Sequence, residues 1–158
     1  MDPHFYHVDI NWNKERKGMM CSPELKSVSN NKGGCIEVAT PPEFPKGIPG
    51  IWSPEHLFTA AVSSCLMTTF LAVAENSKLE FTGFQCQSEG KLEQVDGRYI
   101  MSEVILKPIV TIVNEKDRER AERVLQKSEA ACLISNSIKS KVTMIPHIVV
   151  GSEMVTAN

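Results

Sequence analysis

Hydrophobic and polar positions change period several times along the chain, and the changes divide it into elements. Residues 5–12, FYHVDINW, alternate well enough for a strand. The following NKERKGMMCSPE turns through Gly18 into a second short extended piece. NNKGG, residues 30–34, is a turn signal, and CIEVAT reads as a third strand. Residues 41–50, PPEFPKGIPG, hold prolines at 41, 42, 45 and 49 and predict an ordered loop leading into a helix. That helix starts at Ser53: serine is a good N-cap, Pro54 has no backbone N–H to waste at the first helical position, and Glu55 suits the positive end of the helix dipole. It is expected to end near residues 76–78.

From residue 79 the pattern reads as strands. FTGFQCQSEGKLEQV and RYIMSEVILKPIVTIV flank Asp96-Gly97, a strong short hairpin signal. A second helix follows, with Asn114 as N-cap and an apolar stripe of Ala121, Val124, Leu125, Ser128, Ala131 and Cys132. LISNSIKSK is a break with a short helical turn, and VTMIPHIVV reads as one last strand. The pattern predicts an α+β fold, with mainly antiparallel sheet around a long central buried helix.

The chain has 158 residues, a length that favours a single domain over 1–158. Hydrophobic residues make up 42% and charged residues 23%, within the range of soluble globular proteins. The formal net charge of -2 gives no reason to expect nucleic acid or an anionic membrane as a partner. Residues 57–74 carry no charge and reach the lower edge of membrane-spanning length, roughly 18 residues. Thr59, Ser63, Ser64, Thr68 and Thr69 dilute that run, so a helix buried on nearly all sides by protein is the better reading, and no membrane is expected. A dimer covering the helix from both sides is plausible on the same ground.

The five cysteines are Cys21, Cys35, Cys65, Cys86 and Cys132. No two form CxxC, and no Cys/His cluster stands at zinc spacing, so neither metal nor cofactor is expected. The N-terminus lacks an apolar stretch after a basic start, and a reducing cytoplasm is the expected compartment. In such a compartment a disulfide is more often catalytic than structural. Cys65 and Cys132 lie on helices, each after small residues, AAVSSC and SEAAC. From the residues alone, two small core side chains packed where helices cross is the plainest reading.

SPEHLFTAAVSSCLMTTF resembles the segment of the OsmC/Ohr family, the osmotically inducible and organic-hydroperoxide-resistance proteins, that opens a central helix with Pro-Glu-x-Leu-Phe and carries a peroxidatic cysteine further on. SEAACLISNSIKSKV resembles the family's second segment, where a resolving cysteine precedes a Ser/Asn-rich turn. The element order matches over nearly the whole chain, and PPEFP…GIWSPEHLF looks more like the OsmC-like branches than either name-giving branch.

The resemblance implies an intertwined homodimer and a cytoplasmic antioxidant enzyme. Cys65 is then the peroxidatic thiol, in an apolar pocket for organic hydroperoxides, and Cys132 the resolving thiol. An external dithiol, in the family often dihydrolipoyl, restores the pair. The family also uses an arginine from the first strand-turn region held by the glutamate of the Pro-Glu motif. Glu55 fits that glutamate, and Arg16 in NKERKG is the best match for the arginine. A guanidinium near Cys65 favours its thiolate and can stabilise charge on the peroxide oxygen.

Each role has a plainer counterpart: Arg16 as one charge in the KERK run, Glu55 as a dipole partner. Trp52, Phe58, Leu66, Met67 and Phe70 either line the pocket or fill core. Cys35 and Cys86 read as core, Cys21 as a strand or turn residue, Arg98 as exposed, and His56 and His147 are not expected as bases. The family usually has proline after the second cysteine, where Leu133 stands here, which loosens or redirects Cys132. Two other functions compete with the peroxidase: a non-catalytic small-molecule-binding or structural dimer, and other thiol or persulfide chemistry at Cys65.

Overall fold

The computed structural model describes residues 1–25 and 34–151. These group into two compact units, one within Met1–Leu57 and one beginning at Phe58.

In the first unit, β1 (Asp9–Lys14), β2 (Lys17–Cys21) and β3 (Cys35–Ala39) form an antiparallel sheet with β2 in the middle. The β1–β2 turn lies at Glu15, in the left-handed region at φ 50°, and Arg16, not at the predicted Gly18. Gly18 is a buried β2 residue instead. A Cβ there would stand 2.5 Å from the Asn11 carbonyl oxygen, so the close approach of the neighbouring strand requires glycine. Apart from Gly34, the predicted turn at residues 30–34 lies outside the described residues. The proline-rich stretch is an ordered loop, as expected: Phe44 N–H donates to Pro41 O at 3.1 Å, Gly47 N–H to Phe44 O at 2.9 Å, and Ile48 N–H to Thr40 O at 2.9 Å.

Cys21 and Cys35 are directly opposed across β2 and β3 and form a disulfide. Cys21 is a strand residue as expected, but the bond corrects the expectation of Cys35 as plain core and of disulfides as catalytic rather than structural. Their 14-residue separation gives no pairing signal, and only the strand register brings them face to face.

Helix α1 (Pro54–Asn76) starts where predicted. Its cap is reciprocal: His56 N–H donates to Ser53 Oγ and Ser53 N–H to His56 Nδ1, both at 3.3 Å, so His56 takes the part that glutamate takes in a capping box. Lys78, at φ 51°, ends the helix. Leu79 N–H reaches Ala74 O at 2.9 Å and Lys78 N–H reaches Glu75 O at 3.0 Å, a Schellman closure.

In the second unit, β4 (Phe81–Val95) and β5 (Arg98–Ile112) form a long hairpin. Asp96 at φ 50° and Gly97 at φ 78° give the positive angles a two-residue turn needs. Helix α2 (Arg118–Ala130) buries Ala121, Val124, Leu125 and Ser128 as the stripe predicts, though Ala131 is exposed. Asn114 does not cap it: a 3-10 turn at Glu115–Asp117 intervenes, and Asp117 stands at the N-cap.

The predicted last strand is two, β6 (Lys141–Met144) and β7 (His147–Val150), both parallel to β5. The gap between them faces the stretch of β5 that holds Pro108, and Pro146 sits in it, so neither proline can donate to the ladder there. The parallel pairing follows from the crossover through α2.

One core cluster joins Phe70, Ala74 and Leu79 to Val110, Ile112, Ala121, Val124, Leu125 and Ile148. A second joins Val62 and Leu66 to Val104 and Leu106. The buried residues of α1 are thus Val62, Leu66, Phe70 and Ala74, a single row at four-residue spacing. The expectation of burial on nearly all sides is not met within one chain. Met67 is 40% exposed and Leu71 44%, because the hairpin covers one side of the helix. By length and composition alone, α1 is apolar enough to cross a membrane.

Candidate active site

Cys65 sits mid-helix, half-buried, one position before the core residue Leu66. One turn on, Thr69 Oγ1 lies 4.0 Å from its sulfur. Cys132 is fully buried just past α2. There Cys132 N–H donates to Glu129 O at 3.1 Å and ends the helix.

The chain then folds into a tight turn. Asn136 N–H donates to Cys132 O at 3.0 Å and Ser137 N–H to Ile134 O at 3.0 Å. Side chains brace it: Asn136 Nδ2 donates to Ala130 O at 3.0 Å and Ser137 Oγ to Leu133 O at 2.8 Å. The turn aims the Ile134 N–H at Cys65 Sγ, 3.5 Å away.

These contacts split the two thiols. Burial is the largest influence on Cys65 and pushes its pKa up. Hydrogen bonds from the Cys132 thiol, the Ile134 N–H, the Thr69 hydroxyl and the Leu133 N–H together outweigh burial and hold it below the ordinary thiol value. Cys132 moves the other way: burial raises it first, and its hydrogen bond to Cys65 raises it further, against weaker donation from Ser135. Of the two, Cys65 is therefore the first to ionise as pH rises. Such a pair can attack an electrophile through one sulfur and close a disulfide through the other.

The remaining predicted residues fall in several places. Leu66 and Phe70 are fully buried and fill the two core clusters, Phe70 stacking between Phe81 and Phe84 at ring-centroid distances of 5.1 and 4.8 Å. They lie on the sheet-facing row of α1, so they are core rather than pocket lining. Phe58 packs against the second cluster, half-buried. Met67 points to the exposed side of α1. Trp52 is half-exposed and meets the His56 ring edge-on at 6.1 Å.

Arg16, in the exposed β1–β2 turn, lines an open recess of about 600 Å³ in the first unit together with Ile10, Trp12, Val38 and Pro54. Its guanidinium makes no ion pair among the described residues. Exposure at a hairpin tip leaves the side chain hydrated. Glu55 is half-buried in the first turn of α1. No group of three His, Cys, Asp or Glu among the described residues could hold a metal ion.

Sequence reasoning missed Thr69, although its position four residues after Cys65 was a readable signal. It also missed the Ile134 N–H, which carries no side-chain signature.

The OsmC family profile, described as OsmC-like protein, matches residues 47–146. The uncharacterized protein YmaD of Bacillus subtilis (strain 168) is 26% identical over 153 residues, 91% of this chain and 93% of that protein. An OsmC-like protein of unknown function from Vibrio cholerae superposes with a TM-score of 0.78 at 19% identity, over 91% of this chain and 99% of that one. An organic hydroperoxide resistance protein OsmC from Legionella pneumophila, also called a predicted redox protein and regulator of sulfide bond formation, gives 0.70 at 20% identity, over 94% and 99%. At these identities the solved structures establish the fold. With the profile covering well over half its length, the chain belongs to the OsmC-like protein family.

Proposed function

We propose that this protein is a thiol peroxidase for organic hydroperoxides. The observation that carries the reading is the half-buried Cys65 thiol, which receives the Ile134 N–H at 3.5 Å and is shifted to lower pKa while Cys132 is shifted to higher. The name of the Legionella relative points to the same substrate class.

In this reading the Cys65 thiolate attacks the peroxide O–O bond. Its sulfur becomes a sulfenic acid, and the alkoxide leaves and takes a proton as the alcohol. The Cys132 thiol condenses with the sulfenic acid, giving the Cys65–Cys132 disulfide and water. An external dithiol, for which a dihydrolipoyl group is a candidate, reduces it by exchange and is itself oxidised to a disulfide.

Arg16 is assigned to the leaving oxygen, where a guanidinium stabilises the developing charge, with Glu55 orienting it. The apolar face of α1 that carries Met67 and Leu71 is assigned to a homodimer.

The test is thiol counting after one equivalent of an organic hydroperoxide, with mass spectrometry to locate any new disulfide. Cys65, Cys86 and Cys132 are the free thiols before reaction. The expected product retains Cys86 alone and links Cys65 to Cys132. An unreacted Cys65 overturns the proposal.

A further inference from the structure

We propose that the turn following α2 is the activating device of the thiol: the backbone N–H of Ile134, with the Thr69 hydroxyl, holds the negative charge on Cys65 sulfur. This rests on Cys65 being the reacting thiol.

The geometry is built rather than incidental. The Ile134 N–H points at the sulfur from 3.5 Å. The turn that aims it is fixed at both ends, through Asn136 to the last carbonyls of α2 and through Ser137 to the Leu133 carbonyl. Amides held in this way need no reorganisation when charge forms, so their dipoles favour the thiolate at little entropic cost. Thr69 completes the set from the same helix as Cys65. The lowered pKa of Cys65 agrees, with Ile134, Thr69 and Leu133 all among its causes. Within the second unit, the titratable group that meets Cys65 is Cys132, on the segment after α2.

Asn136 and Ser137 touch the turn and not the sulfur, which makes them positioning residues.

The test reads the donors in the unaltered protein. In ¹H–¹⁵N spectra recorded against pH, the Ile134 amide is expected to titrate with the midpoint found for Cys65 by site-resolved alkylation. If it does not follow that midpoint, the proposal falls. Variants then measure the effect. Ile134 has φ −68°, which suits proline, so Ile134→Pro removes the N–H with little demand on its own backbone, while Ile134→Ala removes the side chain and keeps the N–H.

Ile134→Pro is expected to raise the Cys65 midpoint by about one unit, roughly a tenfold loss of thiolate at pH below it, while Ile134→Ala stays near the parent. Equal midpoints in a folded Ile134→Pro protein and in Ile134→Ala also overturn the proposal. If Ile134→Pro does not fold, the amide titration alone decides. Hydroperoxide consumption is measured in the same samples. A titrating amide without consumption retires the peroxidase and keeps the donor; consumption without a titrating amide does the reverse.

Discussion

Ile134 stands 69 residues after Cys65 and donates its backbone N–H to that sulfur at 3.5 Å. Through this contact the end of one helix sets the chemistry of the middle of another. Cys132, buried just past α2, has its pKa raised where that of Cys65 is lowered.

The pair predicts a division of labour between two variants. Cys65→Ser is expected to abolish hydroperoxide consumption while circular dichroism stays unchanged, because serine is nearly isosteric. Cys132→Ala is expected to allow one turnover and then stop with Cys65 as sulfenic or sulfinic acid, read by mass spectrometry. Continued turnover in Cys132→Ala excludes it as the resolving thiol.

The pKa directions predict a pH profile. The Cys65 thiolate fraction rises with pH through a midpoint below that of an ordinary thiol and flattens above it, while the Cys132 midpoint lies higher. Alkylation rates resolved by site check both. Cys132→Ala also removes a donor, so the Cys65 midpoint moves up.

Arg16 predicts a contrast. If the guanidinium acts on the leaving oxygen, Arg16→Met lowers the hydroperoxide rate by about tenfold or more, the effect of losing one charge-stabilising donor. The Cys65 alkylation profile stays within a few tenths of a unit, since its donors come from the turn after α2. An unchanged rate removes Arg16 from the mechanism.

The disulfide between Cys21 and Cys35 predicts a stability effect separate from the chemistry. Closing a loop of this length contributes about 3 kcal/mol by restricting the unfolded chain. The double variant Cys21→Ser, Cys35→Ser is expected to lose about that much in urea unfolding followed by a probe in the first unit. The hydroperoxide-induced change at Cys65 and Cys132 remains in that variant.

The exposed side of α1 predicts an assembly. With Met67 and Leu71 open in one chain, a homodimer is expected by light scattering at micromolar concentration. Leu71→Asp is expected to shift it toward monomer. An unaltered dimer places the interface elsewhere.

The sequence by itself determined the elements whose signals are local. Ser53-Pro54 marks the start of α1 because capping involves residues within one turn, and Asp96-Gly97 marks the hairpin because both positions must adopt positive φ. The stripe of α2 was legible because burial repeats with the helical period. The two thiols were singled out by their resemblance to family segments, while their spacing said nothing of contact.

Tertiary structure alone decided what depends on register and on backbone groups. The Cys21–Cys35 pairing follows from two strands sliding into one alignment. The division of the last strand follows from prolines on neighbouring strands, and its parallel direction from the crossover. The Ile134 donor is a backbone amide, a group every residue but proline carries. Residue identity therefore cannot mark it, and only the path of the chain past Cys65 brings it to the sulfur.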